Sequence, residues 1–109
     1  MLKITDDNIN EMVEKYPLLM VYVSAEWCGP CKILRPVMNR LSDDNQIPGV
    51  GIGKCNVDDN EQLSSDYKIK SIPTVLVFQN GKEIKRIVGA KPIQEYQSIV
   101  DEHLNFIKR

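Results

Sequence analysis

No apolar run in this chain approaches the ~20 residues needed to cross a bilayer. The longest near the N-terminus, Leu18 to Val23, is about six residues. Met1 to Asn10 has no signal-peptide pattern, so an intracellular, cytoplasmic protein without a membrane partner is expected. An excess of one charge is also lacking. With 14 basic and 15 acidic side chains and a net charge of −1, no basic stripe exists to neutralise phosphates, which disfavours nucleic acid as a partner. Cysteines are few: Cys28, Cys31 and Cys55 cannot all pair within the chain. This argues against a secreted disulfide framework and fits a reducing compartment. No linker, repeat or low-complexity segment divides the 109 residues, so one domain over 1–109 is expected. Its 42% apolar and 27% charged residues are those of a globular protein able to bury one core.

The hydrophobic pattern gives the element order. Thr5 or Asp6 is placed to cap a first helix, with Ile9, Met12 and Val13 at helical spacing and an end near Tyr16 and Pro17. Leu18 to Val23 is continuously apolar, as in a strand covered on both faces. A helix runs from the Cys-Gly-Pro-Cys turn to about Ser42. Ile33, Leu34, Val37, Met38 and Leu41 form its buried stripe, and Pro36 is expected to kink it. Gly49 to Val57 alternates glycine with Val50, Ile52 and Cys55, a second core strand weakened by its glycines. Asp58 or Asp59 can cap a short helix containing Leu63 and ending near Tyr67. Thr74 to Phe78 and Glu83 to Val88 flank Asn80-Gly81, a strong hairpin signal. From Pro92 onward, Ile93, Tyr96, Val100, Leu104 and Ile107 line one face of a terminal helix. The order αβαβαββα, with room for a short strand at Leu2 to Ile4, predicts an α/β fold with a parallel portion and an antiparallel hairpin.

The chemistry gathers at Trp27-Cys28-Gly29-Pro30-Cys31. Two thiols at this spacing can close a disulfide, bind a metal, or act as nucleophile and resolving partner. A cysteine at the ordinary pKa of ~8.5 is only about 3% thiolate at pH 7. Unpaired N–H groups and the dipole at a helix start favour the anion. Cys28, nearest that start and beside Trp27, is the expected nucleophile. Cys31, one turn deeper, is the expected resolving thiol.

Trp27-Cys28-Gly29-Pro30-Cys31-Lys32, Pro36, Ile72-Pro73-Thr74, Asn80-Gly81 and Gly89-Ala90 together resemble the thioredoxin family at matching intervals across essentially the whole chain. The resemblance implies a thioredoxin fold, a central mixed sheet of four to five strands with helices on both faces. It also implies a protein-disulfide reductase using a reversible Cys28–Cys31 disulfide, with no bound cofactor or metal. Pro73 would be a cis-proline against the sulfurs, and the Ile72 backbone would pair with an extended substrate segment. Trp27, Gly29, Pro30, Ile72, Pro73, Gly89 and Ala90 would form an apolar docking rim. Partners would be protein disulfides and an NADPH-dependent thioredoxin reductase, and the protein a monomer. Gly29-Pro30 carries no charge to stabilise the thiolate further, which favours a reductant over an oxidant. One position departs from the family pattern. Tyr22 stands where a buried carboxylate is common, and a phenol cannot be the same base near neutrality. Lys54, at the position of that acid's usual partner, loses it.

Plainer readings stand beside these. Cys28 and Cys31 could be an inert pair, or half of a zinc site formally completed by Cys55 and His103, though those two fall on a strand and the far helix. Cys55 reads as a small core residue, His103 as a surface residue, and Tyr22 as core volume. Trp27 could pack in the core, and Pro73 could be an ordinary loop proline. The competing functions are a non-enzymatic binding or assembly module of the same fold, and an oxidoreductase with a narrow partner set.

Overall fold

The computed structural model describes residues 1–107, so the last two positions of the expected domain lie outside the described residues. The observed order is β1 (Leu2–Lys3), α1 (Ile9–Lys15), β2 (Leu18–Ser24), α2 (Gly29–Asp44), β3 (Val50–Asn56), a 3-10 turn (Val57–Asp59), α3 (Glu61–Asp66), β4 (Thr74–Gln79), β5 (Lys82–Val88) and α4 (Ile93–Ile107). The five strands form one sheet in the order β1-β3-β2-β4-β5. β3 runs parallel to β1 and β2, while β4 is antiparallel to β2 and β5. The short strand at the N-terminus and the mixed sheet are thus as the element order predicts.

Strand periodicity sorts side chains to two faces. Leu18, Met20 and Tyr22 of β2 join Val50, Ile52, Val75 and Val77 under α2 and α4. Leu19, Val21 and Val23 join Cys55, Leu76 and Phe78 under α1 and α3. β2 is therefore central and buried on both sides, which accounts for its unbroken apolar run. The glycines of β3 have a packing reason. A Cβ at Gly51 would come within 2.8 Å of the Tyr16 ring, and one at Gly53 within 2.5 Å of Ile4. The hairpin turns through Asn80 and Gly81, both at positive φ, as a two-residue loop of that kind requires.

Several expectations are corrected. Asn8, not Thr5 or Asp6, stands at the N-cap of α1. The Asp6 carboxylate instead accepts the N–H groups of Gln62 and Leu63, capping α3 from 57 residues away in sequence. Asp58 and Asp59 lie in the 3-10 turn, and Asn60 precedes α3. Ile33 is 69% exposed rather than buried, because it follows Gly29 by one turn on the solvent side of α2. In α4 the buried stripe runs through Tyr96, Ile99, Val100 and His103, leaving Ile107 exposed. His103 is therefore a core residue, not a surface one, and its Nδ1 shares a hydrogen bond with the Gln79 side chain at 3.1 Å.

The two sheet edges differ. β1 is only two residues long. β5 carries Lys82, Glu83, Lys85 and Arg86, and a register shift leaves Ile84 without a partner on β4. Among the described residues, no helix is long and apolar enough to cross a membrane.

Candidate active site

The site lies where β2 ends and α2 begins. The buried strand carries the chain to Ala25, and Trp27 emerges 68% exposed. Cys28 then takes the N-cap of α2, with Gly29 and Pro30 opening the first turn. Pro30 suits that position because it lacks an N–H that would have no helical partner there. The cap acceptor is the Cys28 sulfur itself, which receives the Cys31 N–H at 3.2 Å. No acidic side chain sits in the first turn, so the positive end of the helix is left for the sulfur. Cys28 and Cys31 are joined as a disulfide with Cα atoms 5.2 Å apart. Cys28 retains 5% exposure and Cys31 none, so only the first sulfur can be approached from solvent.

The loop before β4 closes over this pair. The Ile72–Pro73 peptide is cis, and the Ile72 carbonyl oxygen lies 3.8 Å from the Cys28 sulfur. The Pro73 carbonyl accepts the Gly89 N–H at 2.8 Å, bringing the start of β4 beside the end of β5. Residues separated by some sixty positions thus become neighbours: Cys28, Ile72, Pro73 and Gly89 form a continuous line, with Ala90 exposed beyond it. Gly29 and Pro30 are exposed in the first turn of α2. Pro73 itself is buried, and Val88, next to Gly89 in the chain, is an exposed apolar residue (50%) that sequence spacing does not single out.

Behind the pair, Tyr22 is buried and its hydroxyl donates to the Cys31 carbonyl at 2.6 Å. Lys54 is exposed and in register with Tyr22 on the neighbouring strand. Both border a cleft of about 690 Å³ that Glu26, Arg35 and Asn39 also line. Asp58 is a second residue that sequence reasoning missed as part of the site. Its carboxylate accepts the Trp27 indole N–H at 2.9 Å across a separation of 31 residues, a contact no local pattern encodes.

Cys55 stands apart. It belongs to the opposite core face, with Ile4, Val23 and Leu63, whereas His103 lies with α4 near Gln79. Burial, then the Asp6 charge, pushes its thiol up to about 11, so it stays protonated and unreactive through neutral pH.

Known proteins are similar to this chain in sequence and fold. The thioredoxin family model matches residues 1–102. The chain is 39% identical over 101 residues to thioredoxin from Chlorobaculum thiosulfatiphilum, covering 92% of this chain and 93% of that protein. It is 35% identical over 100 residues to thioredoxin from Chlamydia pneumoniae, covering 92% and 95%. The crystal structure of thioredoxin from Malassezia sympodialis superposes with a TM-score of 0.83 at 31% identity, covering 94% of this chain and 91% of that one. With the sheet order, the disulfide at the start of α2 and these matches in agreement, the chain belongs to the thioredoxin family and is a protein-disulfide reductase whose redox centre is the Cys28–Cys31 disulfide.

Proposed function

We propose that Cys28 is the nucleophile and Cys31 the resolving thiol of a general disulfide reductant. The observation that carries this assignment is the unequal placement of the two sulfurs. Cys28 caps the helix and reaches the surface, while Cys31 is enclosed and donates its N–H to the Cys28 sulfur. In the reduced protein that N–H and the helix dipole stabilise a thiolate on Cys28. The thiolate attacks one sulfur of a substrate disulfide. A Cys28–substrate bond forms, the substrate bond breaks, and the second substrate sulfur leaves as a thiolate that takes up a proton. Cys31 then loses its proton and attacks Cys28, which releases the substrate as a dithiol and closes the Cys28–Cys31 disulfide.

Trp27, Gly29, Pro30, Ile72, Pro73, Gly89 and Ala90 serve as the docking rim in this reading. The exposed indole and the Ile72 carbonyl beside Cys28 support it, since an extended segment could pair with that backbone as an added strand. Tyr22 occupies the place where the family commonly carries an acid, and Lys54 is left as a surface cation beside it. The proton of Cys31 therefore leaves by another carrier, such as water or Glu26. The partners are protein disulfides and an NADPH-dependent thioredoxin reductase, for a cytoplasmic monomer of one domain.

Two variants test the assignment. Cys31→Ser is expected to accumulate a stable mixed disulfide with a protein substrate, seen by mass spectrometry. Cys28→Ser is expected to neither form the adduct nor reduce the substrate. An adduct carried by Cys31 in the second variant would reverse the roles. Turnover of NADPH with a thioredoxin reductase and wild-type protein tests the partner.

A further inference from the structure

The first turn of α2 is held to the sheet by a side chain that the two-thiol chemistry does not itself require. Tyr22 is 1% exposed at the centre of the sheet, and its hydroxyl donates to the Cys31 carbonyl at 2.6 Å. Its acceptor sits one residue before a gap in the helical ladder. Pro36 has no N–H to offer the carbonyl of Lys32, so the helical ladder loses a bond just after Cys31. The N–H of Cys31 is engaged by the Cys28 sulfur at 3.2 Å. Residue 31 is thus fixed through both backbone groups, to the sheet on one side and to the nucleophile on the other.

The docking side is referenced to the same sheet. Tyr22 pairs in register with Val75 on β4, two residues beyond Pro73, and the Ile72 carbonyl oxygen lies 3.8 Å from the Cys28 sulfur. A substrate held at Ile72 is therefore positioned by β4, while the resolving thiol is positioned by α2. Tyr22 ties the two together.

We propose that Tyr22 is a positioning residue for the resolving step, aligning Cys31 with the Cys28–substrate bond through its hydrogen bond to the Cys31 carbonyl. This rests on the assignment of Cys28 as nucleophile and Cys31 as resolving thiol. In that step the Cys31 sulfur forms a bond to the Cys28 sulfur and the Cys28–substrate bond breaks. The departing substrate sulfur takes the electron pair, and the proton lost by Cys31 ends on it. The three sulfurs must be close to collinear, and small misplacement of reacting groups is costly in rate. The first attack is less demanding, because a free substrate can adjust its approach. The phenolic hydrogen is engaged by the carbonyl and takes no part in the proton transfer.

The test is Tyr22→Phe, which keeps the ring in the core and removes only the hydroxyl. Reduced protein is mixed with a disulfide-bonded protein substrate, quenched with acid and followed by mass spectrometry. Loss of free reduced protein gives the attack rate, and decay of the adduct gives the resolving rate. Adduct decay is expected to slow about fivefold, the effect of one net hydrogen bond, with the attack rate within about twofold of wild type. Adduct decay at the wild-type rate, or both steps slowed in equal proportion as general loosening would produce, overturns the proposal. Tyr96→Phe is the control, removing another buried hydroxyl of the same core that accepts the Lys91 N–H. A selective slowing of adduct decay by that variant as well would also overturn it. Failure of the underlying assignment looks different, because Cys31→Ser would then trap no adduct.

Discussion

The indole N–H of Trp27 donates to the carboxylate of Asp58 at 2.9 Å, tying the exposed residue before the redox pair to the turn that follows β3. An aromatic ring that is 68% exposed has little else to fix its orientation. In the Asp58→Ala variant the ring is released, and the KM for protein disulfides is expected to rise about two- to fivefold with kcat retained. Trp27 is the chain's one tryptophan, so the anisotropy of its emission should fall in parallel. Unchanged KM and anisotropy would show that the bond does not orient the ring.

Cys55 has a thiol raised from 9.0 to about 11 by burial and then by Asp6. In the unfolded chain it ionises first. Its contribution to stability is therefore complete below about pH 9 and lost as pH rises to about 11. Urea unfolding across that range should show a steeper loss for wild type than for Cys55→Ala. Tyr67 and Tyr96, both raised chiefly by burial, supply part of the remaining slope. At neutral pH, alkylation of the reduced protein should modify Cys28 well before Cys55.

Asp6 caps a helix it does not precede, accepting the Leu63 N–H at 2.7 Å. Asp6→Ala should cost about 1 kcal/mol, the usual effect of losing such a cap. For a domain of this size that is a fall of roughly 4–8 °C in Tm. Disulfide reduction at 25 °C should be unaffected, since α3 contributes nothing to the line from Cys28 to Gly89.

Gly53→Ala should destabilise the fold by about 1–3 kcal/mol through overpacking. Its new Cβ would meet the Ile4 side chain at 2.5 Å and the Leu2 carbonyl oxygen at 3.0 Å. Adding Ile4→Val should restore little of the loss, because it removes only the Cδ1 at 2.9 Å and leaves both the γ-carbon at 2.5 Å and the Leu2 carbonyl of the β1 backbone. Thermal unfolding of the single and double variants measures this.

Features that depend on periodicity or on a local motif were legible in the sequence. The unbroken run of β2, the Asn80-Gly81 hairpin and the whole span of α4 all appear where their patterns put them. The cysteine pair at a helix start is equally local. What escaped depends on which elements meet. Asp6 could have capped its own neighbour, yet folding brings it to α3, 57 residues along. His103 is one polar residue on a helix whose buried stripe turns to include it, and its partner Gln79 lies on another strand. Ile33 shares the helical spacing of its apolar neighbours, but its direction is decided by how the first turn of α2 faces solvent. The bonds from Asp58 to Trp27 and from Tyr22 to Cys31 cross between elements in the same way.

A reductase that handles polypeptides with exposed backbone runs the risk of being drawn into their aggregates. The ends of the sheet guard against this. β1 is too short to template a neighbour, and the charged β5, twisted where Ile84 drops out of register, offers no flat row of backbone groups. Both edges of the sheet are thereby closed to foreign chain, one by its shortness and the other by its charge and its break in register.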